Sequence, residues 1–273
     1  MQSRSHFRYV FVVLVYKNIA VLRDFFESLE VSDSHVIVVN SYYDDESLND
    51  CKETALKYDA DFIPIENKGF GYGNNVGTKY ALEHYDYDYL ILSNSDIHVI
   101  DMTSLNKLQE DLAVIAPYTH LPTGKVQNPN IPWRMNCLFE MLKNGYDRNS
   151  KKWLVLPHML TRFSREFFKL YRILIRKEFY RIYSCHGSFI IFTKKAVERL
   201  YPFFDDRMFL YNEELFLAEN CRLKDVPIYY CPKIDILHLE GASTGHHLGI
   251  DRNRASFAIF YEWMKENNQS SRC

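Results

Sequence analysis

The length, composition and charge of the chain exclude several broad classes of protein. Its 273 residues are 47% hydrophobic and 25% charged, which fits a folded domain with a sizeable core rather than a disordered or fibrous chain. A formal net charge of −2 at pH 7 gives no electrostatic reason to expect nucleic acid as a partner.

The first hundred residues predict an α/β domain. In chain order, strands are predicted at residues 9–16, 35–39, 62–65 and 89–92, and helices at 21–29, 48–58 and 75–84. The strands lack polar alternation, which is typical of parallel strands covered by helices on both faces. Because ligands bind such sheets at the carboxyl ends of the strands, we expect a binding site among the polar residues that follow them.

The middle of the chain is less regular, and we expect four prolines, Pro157 among them, to interrupt residues 117–183. After it we predict a strand at 188–193, a helix at 194–200, a strand at 228–231 and a helix at 253–266. No internal repeat or low-complexity linker divides the chain. The predicted organisation is one domain over 1–245, with halves of about 1–100 and 101–245, an insertion at about 143–182 and a helical tail at 246–273.

Residues 67–77 form a glycine-rich segment, NKGFGYGNNVG, after the third predicted strand. Its glycines let the backbone approach a ligand closely, and we expect a helix to begin just after them. The segment lacks both the GxGxxG spacing and the position after the first strand that a dinucleotide-binding fingerprint requires. A plain glycine-rich turn therefore explains it as well as a ligand site does.

Four further residues have side chains suited to catalysis or metal binding. Asp96 follows a predicted strand, where its carboxylate can bind Mg²⁺ or Mn²⁺ beside a diphosphate, or cap a turn. Glu213 and Glu214 lie at a predicted helix start among aromatic residues, as a buried general base or as solvated charge. His238 ends an apolar run and needs a carboxylate partner to act as a metal ligand.

These motifs are more informative in their order than singly. The segments ENKGFGYGNNVGTKYA, YLILSNSDIHV, GSFIIFTKKAVERLYPFFDDRMFLYNEE and YYCPKIDILHLEGAST follow one another along the chain. In this order they closely resemble the inverting family 2 glycosyltransferases of GT-A type fold, especially the rhamnosyltransferase-like branch. The resemblance covers residues 9–244. It implies an α/β fold with a mostly parallel central sheet flanked by helices, a nucleotide-binding first half and an acceptor-binding second half.

The resemblance also implies a role for each matching residue. Glu214 matches the catalytic base, with Glu213 as its neighbour or substitute. Asp96 and His238 match ligands of a divalent metal, Mn²⁺ or Mg²⁺. The implied contacts to the nucleotide sugar are Asn18, Asn40, Asn67, Lys68, Gly69, Gly71, Gly73, Asn75 and Asn94, and the acceptor side is implied to include Asp205 and His186.

The activity implied is metal-dependent, inverting transfer of a hexose or deoxyhexose from a UDP- or dTDP-linked donor to a hydroxyl of a glycan or lipid-linked glycan. Such a reaction belongs to cell-surface polysaccharide synthesis. Asn94 and Asn40 stand where the family usually has acids, and Glu214 where it usually has Asp. A catalytically weak relative that binds glycans or nucleotide sugars therefore stays open as an alternative. A sugar nucleotidyltransferase is less favoured, because residues 16–18 lack that class's glycine-rich loop with Arg.

Residues 143–181 contain eleven basic and three acidic residues, so this segment is positive while the rest of the chain is negative. Within it, residues 161–182 fit an amphipathic helix with a basic stripe opposite an apolar side. The stripe consists of Arg162, Arg165, Lys169, Arg172 and Arg176. Either this helix packs on the domain with a solvated basic face, or it contacts an anionic membrane or a lipid-diphosphate acceptor.

The cysteines and the first apolar run indicate where the chain resides. The six cysteines are scattered and form no CxxC pair, which fits a reducing compartment. The apolar run at 9–16 is too short to span a bilayer, and no cleavage site follows it. We therefore expect a cytoplasmic protein, peripheral on the inner face of the membrane if the basic helix binds lipid.

Overall fold

A computed structural model of the chain describes residues 4–17, 19–239 and 249–270. Nine strands of the described part form one sheet. They are β1 (Ser5–Val15), β2 (Ser34–Ser41), β3 (Asp61–Ile65), β4 (Tyr85–Asn94), β5 (Ile97–Asp101), β6 (Val114–His120), β7 (Tyr180–Ile182), β8 (Phe189–Thr193) and β9 (Ile228–His238).

Eight α-helices and a short 3-10 helix (Thr103–Lys107) connect the strands of the described part. The α-helices are α1 (Ile19–Ser28), α2 (Asp45–Lys57), α3 (Phe70–His84), α4 (Asn136–Asp147), α5 (Lys151–Ile175), α6 (Lys194–Leu200), α7 (Glu213–Leu223) and α8 (Gly249–Ser270). None of these helices is both long and apolar enough to span a bilayer.

The strand order is β3-β2-β1-β4-β8-β6-β9-β5, and β7 also pairs with β9. The first four strands in this order are parallel, as the apolar runs of the first hundred residues predict. Strand β8 runs antiparallel to both β4 and β6, and β5 and β7 run antiparallel to β9. The α/β fold class is confirmed, with parallel pairing concentrated in the first half of a mixed sheet.

Successive residues of β1 enter two separate apolar cores, because side chains alternate across a strand. Val10 and Val12 belong to the core that α3 to α8 cover. Phe11 and Val13 belong to the core on the other face, which α1 and α2 cover. Both faces of the sheet are therefore buried, which explains the continuous apolar sequence of β1.

The C-terminal helix α8 joins the first of these cores. The ring of Phe260 lies 5.7 Å from that of Phe139 on α4, and Trp263 lies 4.2 Å from Phe216 on α7. Phe257 and Phe260 are fully buried. The predicted helical tail thus packs against both α4 and α7.

The prediction that a helix begins after the glycines of residues 67–77 is wrong, because α3 begins at Phe70. Gly73 and Gly77 lie on this helix against the sheet. A Cβ atom on Gly77 would lie 2.3 Å from Cγ1 of Val12, and one on Gly73 would lie 2.5 Å from Cδ1 of Leu14. The glycines therefore let α3 pack closely on β1, rather than forming a loop before the helix.

The prediction that Pro157 interrupts regular structure is also wrong, because it lies inside the 25-residue helix α5. Strand β9 extends beyond the predicted residues 228–231 and includes Pro232. A proline has no N–H group, so a helix that contains one loses a backbone hydrogen bond at that point. A strand can include a proline where its pairing with a neighbouring strand is irregular. The pairing of β9 with β6 shifts register between Pro117 and Tyr118, next to Pro232. Helix α5 ends before Arg176, so Ile182 of the predicted amphipathic helix lies on β7 instead.

Candidate active site

A cleft of about 900 Å³ opens at the carboxyl ends of β1, β2 and β4. Leu14, Ser41 and Asn94 line it at the ends of these three strands. Parallel strands bring their carboxyl ends to the same edge of a sheet, so residues from distant parts of the chain meet there. Further walls come from the start of α3, the start of α7 and the start of α8.

Asp96 and His238 meet in this cleft because of antiparallel strand pairing. Asp96 lies in the turn between β4 and β5, and β5 pairs with β9 so that Ile97 lies opposite His238. Oδ1 of Asp96 lies 3.2 Å from Nε2 of His238, and the two residues are 6% and 5% exposed. Two residues that lie about half the chain length apart in the sequence thus form one buried acid–imidazole pair.

Gln127 fixes the orientation of the His238 ring. Its Oε1 lies 2.7 Å from Nδ1 of His238, so Nδ1 carries the hydrogen when this oxygen accepts it. Nε2 of the ring then faces the carboxylate of Asp96. A carboxylate and an imidazole nitrogen at this distance can share a proton or a metal ion, so the pair is suited to hold a metal ion.

The donor set fits a divalent metal that also binds a diphosphate. Carboxylate and imidazole both bind Mn²⁺, and two ligands of one small divalent ion are roughly 3 Å apart. Within residues 4–17, 19–239 and 249–270, no cluster of three or more His, Cys, Asp or Glu side chains surrounds a metal-sized space. Asp96 and His238 would therefore supply two ligands and leave other positions for phosphate oxygens and water.

Glu213 and Glu214 line the cleft because of the two residues before them, which both adopt the left-handed backbone conformation. Tyr211 has φ 76° and Asn212 has φ 67°, directly before α7 begins at Glu213. Asn212 donates from Nδ2 to Oδ1 of Asn253 on α8 at 2.8 Å, which holds this strained turn. Such backbone strain is concentrated at functional sites, and here it directs the start of α7 into the cleft.

Burial raises the pKa of both glutamates at the start of α7. The pKa of Glu213 rises to about 8, because the side chain is desolvated and because Glu214 is adjacent. The pKa of Glu214 is also raised by burial, but the N–H of Gly187 donates to its Oε1 at 3.3 Å and favours the charged form. Oε1 of Glu213 is buried without a hydrogen-bond partner among the described residues. Near neutral pH the proton therefore resides mainly on Glu213, and Glu214 is the more readily ionised carboxylate.

Comparison with known proteins identifies a relative by sequence and several solved structures with a similar fold. No family model matches the chain. The chain is 26% identical over 253 residues to the rhamnosyltransferase WbbL of Escherichia coli K12, and the match covers 89% of this chain and 84% of that protein. This relative confirms the resemblance to the rhamnosyltransferase-like branch.

Solved structures share the fold at low sequence identity. GalNAc-T7 with UDP, GalNAc and Mn²⁺ superposes with a TM-score of 0.62 at 10% identity, over 96% of this chain and 50% of its own. The mannosyltransferase PcManGT of Pyrobaculum calidifontis, with GDP-Man and Mn²⁺, gives 0.55 at 12% identity, over 90% of this chain and 60% of its own. TarS of S. aureus gives 0.52 at 13% identity, over 85% of this chain and 36% of its own.

This chain is a glycosyltransferase of GT-A fold. The chain spans about half the length of GalNAc-T7 and about a third of the length of TarS.

In the glycosyltransferase, three of the predicted nucleotide-sugar contacts line the cleft: Asn67, Gly69 and Asn94. Gly69 has φ 110°, and a Cβ atom there would lie 2.2 Å from the carbonyl oxygen of Phe209. The N–H of Phe70 donates to the same carbonyl at 2.9 Å. The segment before α3 is thereby joined to the segment before α7, and only glycine fits at the junction.

Five other predicted contacts are not among the residues that line the cleft: Asn40, Lys68, Gly71, Gly73 and Asn75. Each has a structural partner instead. Asn40 is buried and donates to the Ser47 carbonyl, and Lys68 is exposed beside Glu66. Asn75 donates to the Phe204 carbonyl and to Asp206, which anchors the segment 203–206 on α3. Gly71, Gly73 and Asn75 belong to helix α3, which packs on the sheet. Asn18 lies outside the described residues.

The two predicted acceptor-side residues differ in position. His186 lines the cleft, and its ring centre lies 5.9 Å from that of His238. Burial, together with His238, lowers the pKa of His186 to about 3, so its ring is neutral and can hydrogen-bond a sugar hydroxyl. Asp205 does not line the cleft, because it is turned toward Arg207, with the two side chains 2.5 Å apart.

Several other residues of the cleft wall were not assigned a role from the sequence. Tyr16 and Lys17 follow β1, and the Lys17 ammonium lies 5.1 Å from the Tyr16 ring and 5.5 Å from the Tyr43 ring. Arg252 reaches the cleft from α8, with its guanidinium 4.8 Å from the Phe209 ring. Lys17 was identifiable as a polar residue after a strand. Arg252 had no such signal, because its position depends on how α8 packs.

Proposed function

We propose that this glycosyltransferase is a metal-dependent inverting enzyme. Its donor would be a hexose or deoxyhexose linked to UDP or dTDP, and its acceptor a hydroxyl of a glycan or lipid-linked glycan. The observation that supports this most directly is that Asp96, His238 and Glu214 line one cleft of about 900 Å³. That volume suits a nucleotide sugar together with the end of an acceptor.

The proposed donor site combines the acid–imidazole pair with the neighbouring backbone. Asp96 and His238 would hold Mn²⁺ or Mg²⁺, which neutralises charge on the diphosphate leaving group when it is bound. Asn94 and Asn67 present amide groups to the same cleft, and Lys17 and Arg252 bring positive charge to its rim. These groups favour an anionic donor over a neutral sugar.

The proposed chemistry is a single displacement with Glu214 as base. Glu214 takes the proton of the acceptor hydroxyl, and that oxygen forms a bond to the anomeric carbon as the bond to the diphosphate oxygen breaks. Attack from the face opposite the nucleotide inverts the anomeric configuration. His186, neutral and next to Gly187, orients the acceptor by hydrogen bonding.

The comparisons support a particular class of donor and a divalent metal. The similarity to a rhamnosyltransferase supports a deoxyhexose donor, and the Mn²⁺ in two of the superposed structures supports a divalent metal. We extend the proposal to a cytoplasmic enzyme in cell-surface polysaccharide synthesis that contacts a membrane peripherally. The division into a nucleotide-binding half (1–100) and an acceptor-binding half (101–245) belongs to the same proposal.

A thermal-shift screen of UDP-, dTDP- and GDP-sugars with and without Mn²⁺ identifies the donor. We expect one donor to raise the melting temperature only when Mn²⁺ is present, and Asp96→Ala to abolish both this shift and donor hydrolysis. Asp88→Ala is the matched control, because Asp88 lies on β4, the strand that leads to Asp96, but is exposed outside the cleft.

Two outcomes contradict the proposal. Donor binding with neither hydrolysis nor transfer would identify a binding relative instead of an enzyme. A product whose anomeric proton, read by NMR, retains the configuration of the donor would rule out the single displacement.

A further inference from the structure

Helix α5 exposes an unusual number of large apolar side chains. Of fifteen large apolar residues that are exposed in the described part of the chain, eleven lie on α5. They include Phe163, Phe167 and Leu174, which are 66%, 64% and 80% exposed. Soluble proteins rarely expose so many large apolar groups on one element, and such a patch indicates an interaction surface.

Helix α5 turns part of its basic stripe toward the domain and its predicted apolar side away from it. Two residues of the basic stripe face the domain: Arg165 donates to the carbonyls of Val126 and Gln127, and Arg172 donates to the hydroxyl of Tyr230. Leu154, Pro157 and Phe168 complete this inward face. The aromatic and aliphatic residues on the apolar side of the helix are therefore outermost.

The charge on and beside α5 identifies what would cover this face. Residues 151–177 contain eight basic residues and one acidic residue, so the segment carries a strong positive charge. Lys151, Lys152, Arg162 and Arg176 are exposed around the apolar residues. A second copy of the chain docked face to face would bring two such segments together and would be repelled. An anionic bilayer surface satisfies both the apolar and the basic groups.

A pocket of about 440 Å³ lies beside this face and adds a site for a phosphate group. Its walls include Arg134, Arg181 and Arg222, and Trp133 joins it to α5 with its ring 5.8 Å from Phe167. Arg134 and Arg222 share one carboxylate, that of Glu219, and Arg181 has no ion pair with any described residue. The pocket therefore keeps an excess of positive charge, and the guanidinium of Arg181 is the group in it that suits a phosphate.

We propose that the apolar face of α5 inserts into the surface of an anionic lipid bilayer, with a phospholipid headgroup phosphate in the arginine pocket beside it. The helix lies in the interface rather than across the bilayer, since basic residues stand at its start and throughout its second half. The surface is separate from the catalytic cleft, with which its pocket shares no lining residue.

Flotation of the full chain with vesicles tests the surface. We expect binding to vesicles of equimolar phosphatidylcholine and phosphatidylglycerol, weaker binding at high salt, and a loss of about tenfold or more in the double variant Phe167→Ser, Leu174→Ser. The matched control is Leu56→Ser, Ile100→Ser, which removes two apolar side chains that are 62% and 55% exposed elsewhere. Its binding should equal that of the wild type.

The pocket has its own variant. Arg181→Ala should lower binding to the mixed vesicles more than Lys177→Ala does, since Lys177 is an exposed basic residue beside α5 but outside the pocket; equal losses in the two variants would remove the headgroup site from the proposal. Failure of the wild type to float, or equal losses in the two double variants, would overturn the membrane surface. So would a dimer, seen by light scattering, that the α5 variant dissociates. No donor or acceptor is needed, so failure here leaves the proposed reaction untouched.

Discussion

Glu213 and Glu214 are adjacent at the start of α7, but Glu213 is buried while Glu214 is half-buried, and their hydrogen-bond partners differ. Glu214 accepts the N–H of Gly187, whereas Oε1 of Glu213 lacks a partner among the described atoms. We therefore expect Glu214→Gln to reduce transfer by a factor of about 10² to 10⁴, and Glu213→Gln to reduce it by less than about tenfold. Steady-state rates of both variants would check this, and the reverse order would make Glu213 the base.

The raised pKa values of this pair also set the pH dependence of the reaction. A base must be ionised to take a proton, so the rate should fall as the pH drops below the range in which the pair titrates. Glu213 is protonated and neutral while Glu214 ionises, so Glu213→Gln should leave the acidic limb close to its wild-type position. A pH–rate profile of the variant with its acidic limb moved to clearly lower pH would show instead that Glu213 is charged while Glu214 titrates.

Glu213 should also reduce the stability of the fold. Its pKa is about 8 in the folded chain and 4.5 when unperturbed, so the folded state holds its proton more tightly than the unfolded state. The free energy of unfolding therefore falls as the pH rises between these values. Glu213→Gln removes this penalty, and we expect its melting temperature at pH 8 to exceed that of the wild type by about 3 °C or more. Equal melting temperatures would indicate that Glu213 is not desolvated.

Gln127 is the positioning residue that the His238 ring requires. Loss of a hydrogen bond to a histidine that binds a metal typically weakens metal binding about tenfold to hundredfold. We expect this effect in Gln127→Ala, which removes the partner of His238 Nδ1. Gln127→Glu keeps an oxygen acceptor for Nδ1 and should retain most of the affinity. Calorimetric titration with Mn²⁺ measures both. Unchanged affinity in Gln127→Ala would show that the ring needs no such partner.

At the scale of elements, α3 depends on the absence of side chains where it crosses β1. A Cβ atom on Gly77 would lie 2.3 Å from Val12 and 2.8 Å from Val39. Gly77→Ala should therefore lower the free energy of unfolding by about 1–3 kcal/mol, although alanine favours helix. Lys79→Ala, on the exposed side of the same helix, should change it by less than about 0.5 kcal/mol. Chemical denaturation checks both, and an unchanged Gly77→Ala would mean that the helix does not pack this closely.

Sequence periodicity located these elements better than it oriented them. The strands of the first half were predicted within a few residues, because buried parallel strands are continuous apolar runs. For α5, the pattern separated basic from apolar residues but did not reveal which side faces the domain. The usual assumption that the apolar side is buried failed, because Arg165 and Arg172 bind carbonyl and hydroxyl oxygens of the domain.

At the scale of the whole molecule, the order of motifs predicted that Asp96, His238 and Glu214 would converge, and they line one cleft. Periodicity could not supply this, since the meeting of Asp96 with His238 depends on the antiparallel pairing of β5 with β9. The parts of the cleft that sequence reasoning missed come from long-range packing. Arg252, for instance, reaches the cleft only because α8 packs against α4 and α7.

We propose that one cleft binds a metal–nucleotide sugar with one set of residues and transfers the sugar with another. The decisive measurement compares Mn²⁺-dependent donor affinity with transfer rate in the same preparations of Glu214→Gln and Asp96→Ala. We expect Glu214→Gln to bind donor as the wild type does but to transfer sugar at least about 10²-fold more slowly, and Asp96→Ala to lose the Mn²⁺-dependent part of binding. Full Mn²⁺-dependent binding by Asp96→Ala, or undiminished transfer by Glu214→Gln, would contradict this proposal.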